Sequence, residues 1–177
     1  MMRQLNGLGV PVGGGDTSTH RYPGMVASEG LTERELQAWR TSVQMLELLR
    51  TRIEQQLQAS SGLSVADYAV LSLLSEAPDG RMRVYELARA ADWEKSRLHH
   101  QLTRMGKRGL VDREPCGSRG MDAVITPKGL AAIKEAAPGH SREVRRRFID
   151  CLTPEELDHF AGIARTILDN LRADQQP

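Results

Sequence analysis

Residues 84–126, VYELARAADWEKSRLHHQLTRMGKRGLVDREPCGSRGMDAVIT, decide the fold of this chain. Their first half predicts two short helices, residues 84–91 and 94–108, separated by a break at Asp92 and Trp93. In the second helix the apolar side chains recur at helical spacing, at Leu98, Leu102 and Met105. Two short helices joined by a tight turn are typical of a helix-turn-helix.

A β-hairpin is predicted directly after the second helix. Gly109 ends that helix, and residues 110–114 and 122–126 have the composition of two short strands. Residues 115–120 are rich in Gly, Pro and Ser and are predicted to form the connecting turn. A hairpin in this position is the wing of a winged helix-turn-helix. The predicted fold class is therefore mainly α with a small β-hairpin, a winged helix-turn-helix with further helices at both ends.

An amphipathic helix pair is predicted before this stretch. Thr32 and Glu35 form a capping box ahead of an apolar stripe that continues to about residue 59, and Ser64 with Asp67 begins a second helix. At 1.5 Å per residue the first helix is about 40 Å long. Because this exceeds what a small core needs, part of its stripe is expected to contact another element or another chain.

The two ends of the chain differ in character. From about residue 128 the pattern is helical, with a kink expected at Pro138 and Gly139. Thr153, followed by a proline and two glutamates, has the capping signature of a last helix. Residues 1–30 contain a run of glycines and few large apolar side chains, which predicts a flexible tail.

Charge is distributed unevenly along the chain. The 177 residues include 24 basic and 23 acidic side chains, a formal net charge of +1. Residues 81–120 contain ten Lys or Arg and five Asp or Glu, a local excess of +5, whereas residues 150–177 contain two and six, a local charge of −4. This distribution predicts a basic face for phosphate groups and an acidic, solvated end, with ordinary surface scatter as the alternative.

Several classes of protein are disfavoured by the motifs that the sequence lacks. Cys116 and Cys151 belong to no zinc-binding pattern, and we find no phosphate loop, nucleophile elbow or other catalytic or cofactor signature. The apolar runs are shorter than the roughly 20 residues of a bilayer span, and the N-terminus has no apolar signal core. We expect a cytoplasmic protein that is not an enzyme and that has no metal, cofactor or membrane contact.

Three segments, in this order along the chain, resemble the MarR family of transcription regulators. Residues 94–111 resemble the recognition helix and following strand of that family, and residues 125–129 (Ile-Thr-Pro-Lys-Gly) resemble its exit from the wing. Residues 152–157 (Leu-Thr-Pro-Glu-Glu-Leu) resemble the start of its final dimerisation helix. The resemblance covers about residues 31–172.

The resemblance implies a domain organisation and a function. Residues 31–60 and 128–172 are expected to form a helical dimerisation region, and residues 61–127 the DNA-binding domain. A homodimer is expected to bind a pseudo-palindromic operator in double-stranded DNA as a repressor, and to be released by a small aromatic acid effector. The alternative is an architectural or protein-interaction winged helix without a regulatory ligand.

Candidate DNA contacts lie on the face of the second helix opposite its apolar stripe. A step of 100° per residue places six polar residues there, namely Ser96, Arg97, His100, Thr103, Arg104 and Lys107. We predict that Arg97 and His100 contact bases, that Lys95 and Arg104 contact phosphates, and that Ser96 contacts either. The alternative is a solvated cationic helix face. His99 is not included, because its sideways position equally fits packing between helices.

Arg119, in the predicted wing, is a candidate for insertion into the minor groove, where the negative potential attracts a guanidinium group. The resemblance implies an Asp two residues before this arginine, but the chain has Gly117 there. Arg119 is therefore expected to be less well oriented than in the family. The alternative is a turn arginine that only contributes to solubility.

Three aromatic residues have two possible roles each. Trp39 and Tyr68 are predicted to face inward from the first two helices, mainly as core residues. With Arg40 beside Trp39, they are also the candidate contacts for a small anionic aromatic ligand, which the resemblance suggests. Trp93 is expected to be a partly buried turn residue rather than a base contact.

Overall fold

The computed structural model describes residues 30–117 and 120–173. The predicted tail up to residue 29 therefore lies outside the described residues, as does Arg119. Within them the chain is mainly α-helical with a small sheet, as predicted. In chain order the elements are α1 (Glu33–Ser61), α2 (Val65–Glu76), β1 (Arg81–Arg83), α3 (Val84–Ala90), α4 (Lys95–Lys107), β2 (Val111–Cys116), β3 (Gly120–Ile125), α5 (Pro127–Arg147) and α6 (Pro154–Ala173).

The chain divides into two compact units, the first ending at Trp39 and the second beginning at Arg40. In the first unit a capping box starts α1, as the sequence predicts. The Thr32 backbone N–H donates to Oε2 of Glu35 over 2.7 Å, and the Glu35 N–H donates to Oγ1 of Thr32 over 3.3 Å. These bonds satisfy amides that have no partner within the helix.

The core of the second unit forms where α2, α3 and α4 meet. The predicted stripe of α4, Leu98, Leu102 and Met105, is at most 1% exposed. Burial of each such side chain contributes about 1.5 to 3 kcal/mol. The core is completed by fully buried residues of the neighbouring elements, which are Leu57, Leu63, Val70, Leu71, Leu74, Leu87, Val111 and Ala123.

The predicted hairpin is part of a larger sheet. Within the described residues, β1, β3 and β2 pair antiparallel in that order, with Arg81 opposite Val124. A three-residue strand is too short to produce an alternating pattern in the sequence, so β1 was not predicted. The turn before it brings Gly80 so close to β3 that an added Cβ would lie 2.7 Å from Cγ2 of Ile125. Glycine is therefore required where β1 joins the sheet.

The C-terminal helices begin at the predicted caps. Thr126 caps α5 by accepting the Gly129 N–H over 2.9 Å, and a Cβ on Gly129 would collide with the backbone oxygen of Leu110. Helix α5 continues as one helix through Pro138. Helix α6 starts with the predicted capping box, in which the Thr153 N–H donates to Glu156 over 2.8 Å. None of the helices in the part of the chain that the structure describes has the length and apolar character of a membrane span.

Candidate nucleic-acid interface

Helix α4 has one buried face and one exposed polar face. Of the side chains predicted from helical spacing, five are exposed, namely Ser96, Arg97, His100, Arg104 and Lys107. Thr103 is only partly exposed, and Lys95 and His99 are exposed as well. The helix begins after Glu94 and has Arg104 and Lys107 in its last turn. Hydrogen-bond donors and cations therefore cover the solvent side of this helix, which is the arrangement needed to contact base edges and phosphates.

Trp93 supports Arg97 from the turn before α4. The guanidinium carbon of Arg97 lies 4.3 Å from the centroid of the Trp93 ring, a cation–π contact. Trp93 itself is partly buried and packs against the core, as predicted for a turn aromatic. This pairing was not predicted from the sequence, although a separation of four residues is the spacing at which helical neighbours meet. The contact restricts the positions that Arg97 can take.

Asp67 connects α4 to the start of α2. This carboxylate is 3% exposed, and its Oδ1 accepts Nε2–H of Gln101 over 2.7 Å. Its Oδ2 accepts the Ser64 backbone N–H over 2.9 Å and Nη1–H of Arg108 over 2.6 Å. The sequence identified Asp67 only as a helix cap. In the structure it also holds α4 in place on the buried side of that helix. Gln101 in turn accepts a hydrogen bond from Arg104.

Arg113 of β2 contacts α4 from the side of the wing. Its Nη2–H donates to Oγ1 of Thr103, and its Nη1 lies 3.4 Å from Nδ1 of His99. The Thr103 hydroxyl donates to the backbone oxygen of His99 over 2.9 Å. His99 is exposed, so it does not pack between helices. Sequence reasoning did not identify Arg113, because the contact joins a strand to a helix.

The wing is longer than predicted. Strands β2 and β3 pair up to Cys116 opposite Gly120, so pairing continues beyond the predicted strand ends at residues 114 and 122. The predicted minor-groove residue, Arg119, lies outside the described residues. Its role stays a prediction.

Comparison with known proteins identifies the family. A family model described as MarR family matches residues 61–120. AbsC, a MarR family transcriptional regulator from Streptomyces coelicolor, is 42% identical, and the match covers 82% of this chain and 99% of AbsC with a TM-score of 0.78. The chain belongs to the MarR family.

Two further relatives agree with this assignment. Sco3205, a MarR family regulator from Streptomyces coelicolor solved in complex with DNA, is 37% identical over 83% of this chain and 94% of its own, with a TM-score of 0.77. The transcriptional repressor YetL of Bacillus subtilis is 26% identical over 115 residues, which are 64% of this chain and 68% of YetL. The predicted family is confirmed, and the MarR family consists of transcriptional regulators rather than enzymes.

The candidate ligand contacts of this MarR family chain differ in burial. Trp39, in the first unit, is 56% exposed, so the prediction that it faces inward is wrong for the single chain. Helical spacing shows that Trp39 shares a face with other apolar residues, but it does not show what covers that face. Arg40 is exposed as well. Tyr68, in the second unit, is partly buried, as predicted.

Tyr68 packs against His140, and we define a polar cluster of these two residues together with Gln56, whose side chain lies beside Gly139. The rings of Tyr68 and His140 are 4.2 Å apart between centroids, and Nε2 of Gln56 lies 2.9 Å from where a Cβ on Gly139 would be. Burial lowers the pKa of the His140 imidazole below its usual value, which favours the neutral ring. Among the described residues, Nδ1 of His140 and Oε1 of Gln56 are buried without a hydrogen-bond partner. The sequence indicated only Tyr68 of these three.

Proposed function

We propose that the chain is a sequence-specific, double-stranded DNA-binding transcription regulator that binds a pseudo-palindromic operator as a homodimer and acts as a repressor. The observation that supports this most directly is the exposed face of α4, which carries donors and cations. Asp67 supports that helix from behind and Arg113 supports it from the wing. A pre-ordered helix of this kind loses little conformational freedom when it enters a major groove.

The residues of this face have different chemical roles in the proposal. Arg97 and His100 contact base edges, and Lys95 and Arg104 contact phosphates, while Ser96 has a group suited to either. Trp93 holds the Arg97 guanidinium beside the helix, so this side chain is partly oriented before DNA binds. Arg119 reaches the minor groove from the wing.

Substitution of two arginines tests these roles. We expect Arg97→Ala to relax base preference at one operator position, at a cost of about 1 to 3 kcal/mol there. Arg104→Ala should weaken binding to all sequences alike and reduce the dependence of affinity on salt, because it removes a phosphate contact. Selection from a random DNA library, followed by titration of the selected site at several salt concentrations, measures both effects.

The matched control is Arg165→Ala, which removes an exposed arginine from α6. It should leave affinity and base preference unchanged. If Arg97→Ala and Arg104→Ala lower affinity uniformly, Arg97 is not a base contact. If the unsubstituted chain enriches no sequence from the library, the architectural or protein-interaction alternative is favoured.

The homodimer is proposed from apolar side chains that one chain leaves exposed. On α1 of the second unit these are Met45, Leu46 and Leu48, and on α6 they are Ile163, Ile167, Leu168 and Leu171, with exposures between 37% and 62%. Two amphipathic helices with exposed apolar faces are suited to pair with a second copy of the same chain. In such a dimer residues 31–60 and 128–172 form the dimerisation region, and residues 61–127 bind DNA. Two recognition helices then enter successive major grooves about 34 Å apart.

A small aromatic acid is the proposed effector, and the polar cluster of Gln56, Tyr68 and His140 supports it. The two buried atoms without partners need a donor or acceptor, and Tyr68 offers an aromatic ring. Trp39 and Arg40 are proposed for the same ligand class because they expose a ring and a cation. For tenfold weaker DNA binding, the ligand must favour the released arrangement by about 1.4 kcal/mol.

A thermal-shift screen of benzoic and phenolic acids tests the effector, followed by DNA titration with each stabilising compound. We expect a stabilising acid to lower DNA affinity about tenfold, and Tyr68→Leu or Trp39→Ala to abolish this response with little change in ligand-free affinity. Tyr85→Leu is the control, because Tyr85 is an exposed tyrosine on α3. A normal response of the Tyr68→Leu variant would exclude Tyr68 as a ligand contact, and a normal response of the Trp39→Ala variant would exclude Trp39.

A further inference from the structure

The contact between Arg113 and His99 favours one tautomer of the His99 imidazole. A guanidinium group has only donors. Nη1 of Arg113 lies 3.4 Å from Nδ1 of His99, and because Nη1 can only donate, a hydrogen bond forms here only when Nδ1 carries no hydrogen. A neutral imidazole that accepts at Nδ1 carries its hydrogen on Nε2. In this tautomer the imidazole of His99, an exposed residue, offers an N–H donor at Nε2.

Thr103 keeps Arg113 in this position. Its hydroxyl donates to the backbone oxygen of His99 over 2.9 Å, so the lone pairs of Oγ1 can accept hydrogen bonds from other donors. Nη2–H of Arg113 donates to this oxygen. The guanidinium is thus held at two points on α4, by Thr103 and His99, and the partly buried Arg113 side chain has little freedom to move away.

The position of His99 is suited to contact with DNA. It lies in the second turn of α4, whose first residue is Lys95, and its side chain is exposed. In helix-turn-helix proteins the N-terminal residues of the recognition helix contact base edges. An N–H donor at this place matches the N7 acceptors that both purines present in the major groove.

We propose that His99 is a specificity-determining residue that donates Nε2–H to the N7 of a purine, and that Arg113 is a positioning residue that sets the required tautomer. This inference rests on the proposed DNA-binding function. It adds a base contact on the wing side of α4 to those of Arg97 and His100. It also gives the first strand of the wing a role in base recognition that does not require the wing itself to touch a base.

The tautomer is tested first, without DNA, on the full chain labelled with ¹⁵N-histidine at a pH where the imidazole is neutral. We expect the nitrogen shifts and N–H couplings of His99 to show the Nε2–H form, and Arg113→Met to produce a mixture of tautomers. Methionine keeps the apolar stem of the side chain, so it removes the donors with little loss of packing. Arg81→Met is the control, because Arg81 lies in the same sheet but pairs with Glu114. A predominant Nδ1–H form in the unsubstituted chain would overturn the proposal.

The base contact is tested on the operator obtained by library selection. We expect His99→Ala to lower affinity about three- to tenfold, the usual effect of one hydrogen bond, and to lose the preference for purine at one position. His99→Gln, which retains an N–H donor, should restore part of this preference. A 7-deazapurine at that position should weaken the unsubstituted chain by the same factor and have no further effect on His99→Ala.

Two results would overturn the base contact. If His99→Ala weakens all sequences equally and every 7-deazapurine is tolerated, His99 binds a phosphate oxygen instead. If the 7-deazapurine effect adds to that of His99→Ala, another residue reads N7. An unsubstituted chain that binds no DNA selectively contradicts the proposed function itself, and the tautomer measurement distinguishes that outcome from an incorrect reading of the Arg113 contact.

Discussion

Leu168→Asp is expected to convert the proposed homodimer to a monomer and to lower operator affinity by at least about a hundredfold. Leu168 is 46% exposed in the single chain and lies on the apolar side of α6 with Ile167 and Leu171. A carboxylate placed in an apolar interface loses its hydration without gaining a partner. A two-fold interface contains each residue twice, so the effect of the substitution is doubled.

The loss of DNA affinity follows from the loss of the dimer. A dimer bound through one recognition helix holds the second near its half-site at high effective concentration, and a monomer does not. Sedimentation equilibrium should show the unsubstituted chain at about twice 19.6 kDa and the variant near 19.6 kDa. Operator titration of the same samples gives the affinities.

Ala173→Asp is the matched control for this experiment. It introduces the same charge five residues later on α6, at an exposed position about 80° or more around the helix from Ile163, Ile167, Leu168 and Leu171. It should stay dimeric and bind DNA normally. A Leu168→Asp variant that remains a dimer places the interface elsewhere, and an unsubstituted chain that binds its operator as a monomer contradicts the dimer altogether.

Asp67→Ala is expected to lower the free energy of unfolding by about 3 kcal/mol. The substitution removes one half of the capping box of α2, the Asp67 carboxylate that accepts the Ser64 N–H, at a cost of about 1 kcal/mol, while Ser64 remains the N-cap. It also leaves the buried Nε2–H of Gln101 without its acceptor, which costs a further 1 to 3 kcal/mol or so. The ion pair with Arg108 adds little, because the Arg108 side chain is 43% exposed and therefore screened by solvent.

Urea unfolding at a fixed protein concentration measures this change. Asp112→Ala is the control, because Asp112 is exposed on β2, and its effect should stay within about 0.5 kcal/mol. Asp67→Asn should fall between the two, since an amide keeps the size of the side chain and one acceptor oxygen. A loss below about 1 kcal/mol for Asp67→Ala would show that Asp67 does not anchor α4.

Local features of the fold were predictable from the sequence by itself. Thr32 with Glu35, Ser64 with Asp67, and Thr153 with Glu156 mark helix starts, because each capping box is formed by residues three positions apart. The exposed face of α4 was also predictable, because it too depends only on residues close together in the sequence. Its buried residues repeat with the helical period, so the opposite side of the helix follows from their spacing.

Tertiary structure decided which of these residues support one another. Gln101 is 34 positions from Asp67, and Arg113 is 14 positions from His99, so no local pattern joins them. Strand β1 became visible only through its pairing with β3. Trp39 also shows that local spacing does not reveal long-range contacts. Periodicity places a side chain on one face of a helix, but only the packing of the folded chain decides whether that face is buried. The sequence by itself thus determined the helices and their polar faces, and long-range contacts determined how α4 is fixed in position by α2 and by the wing.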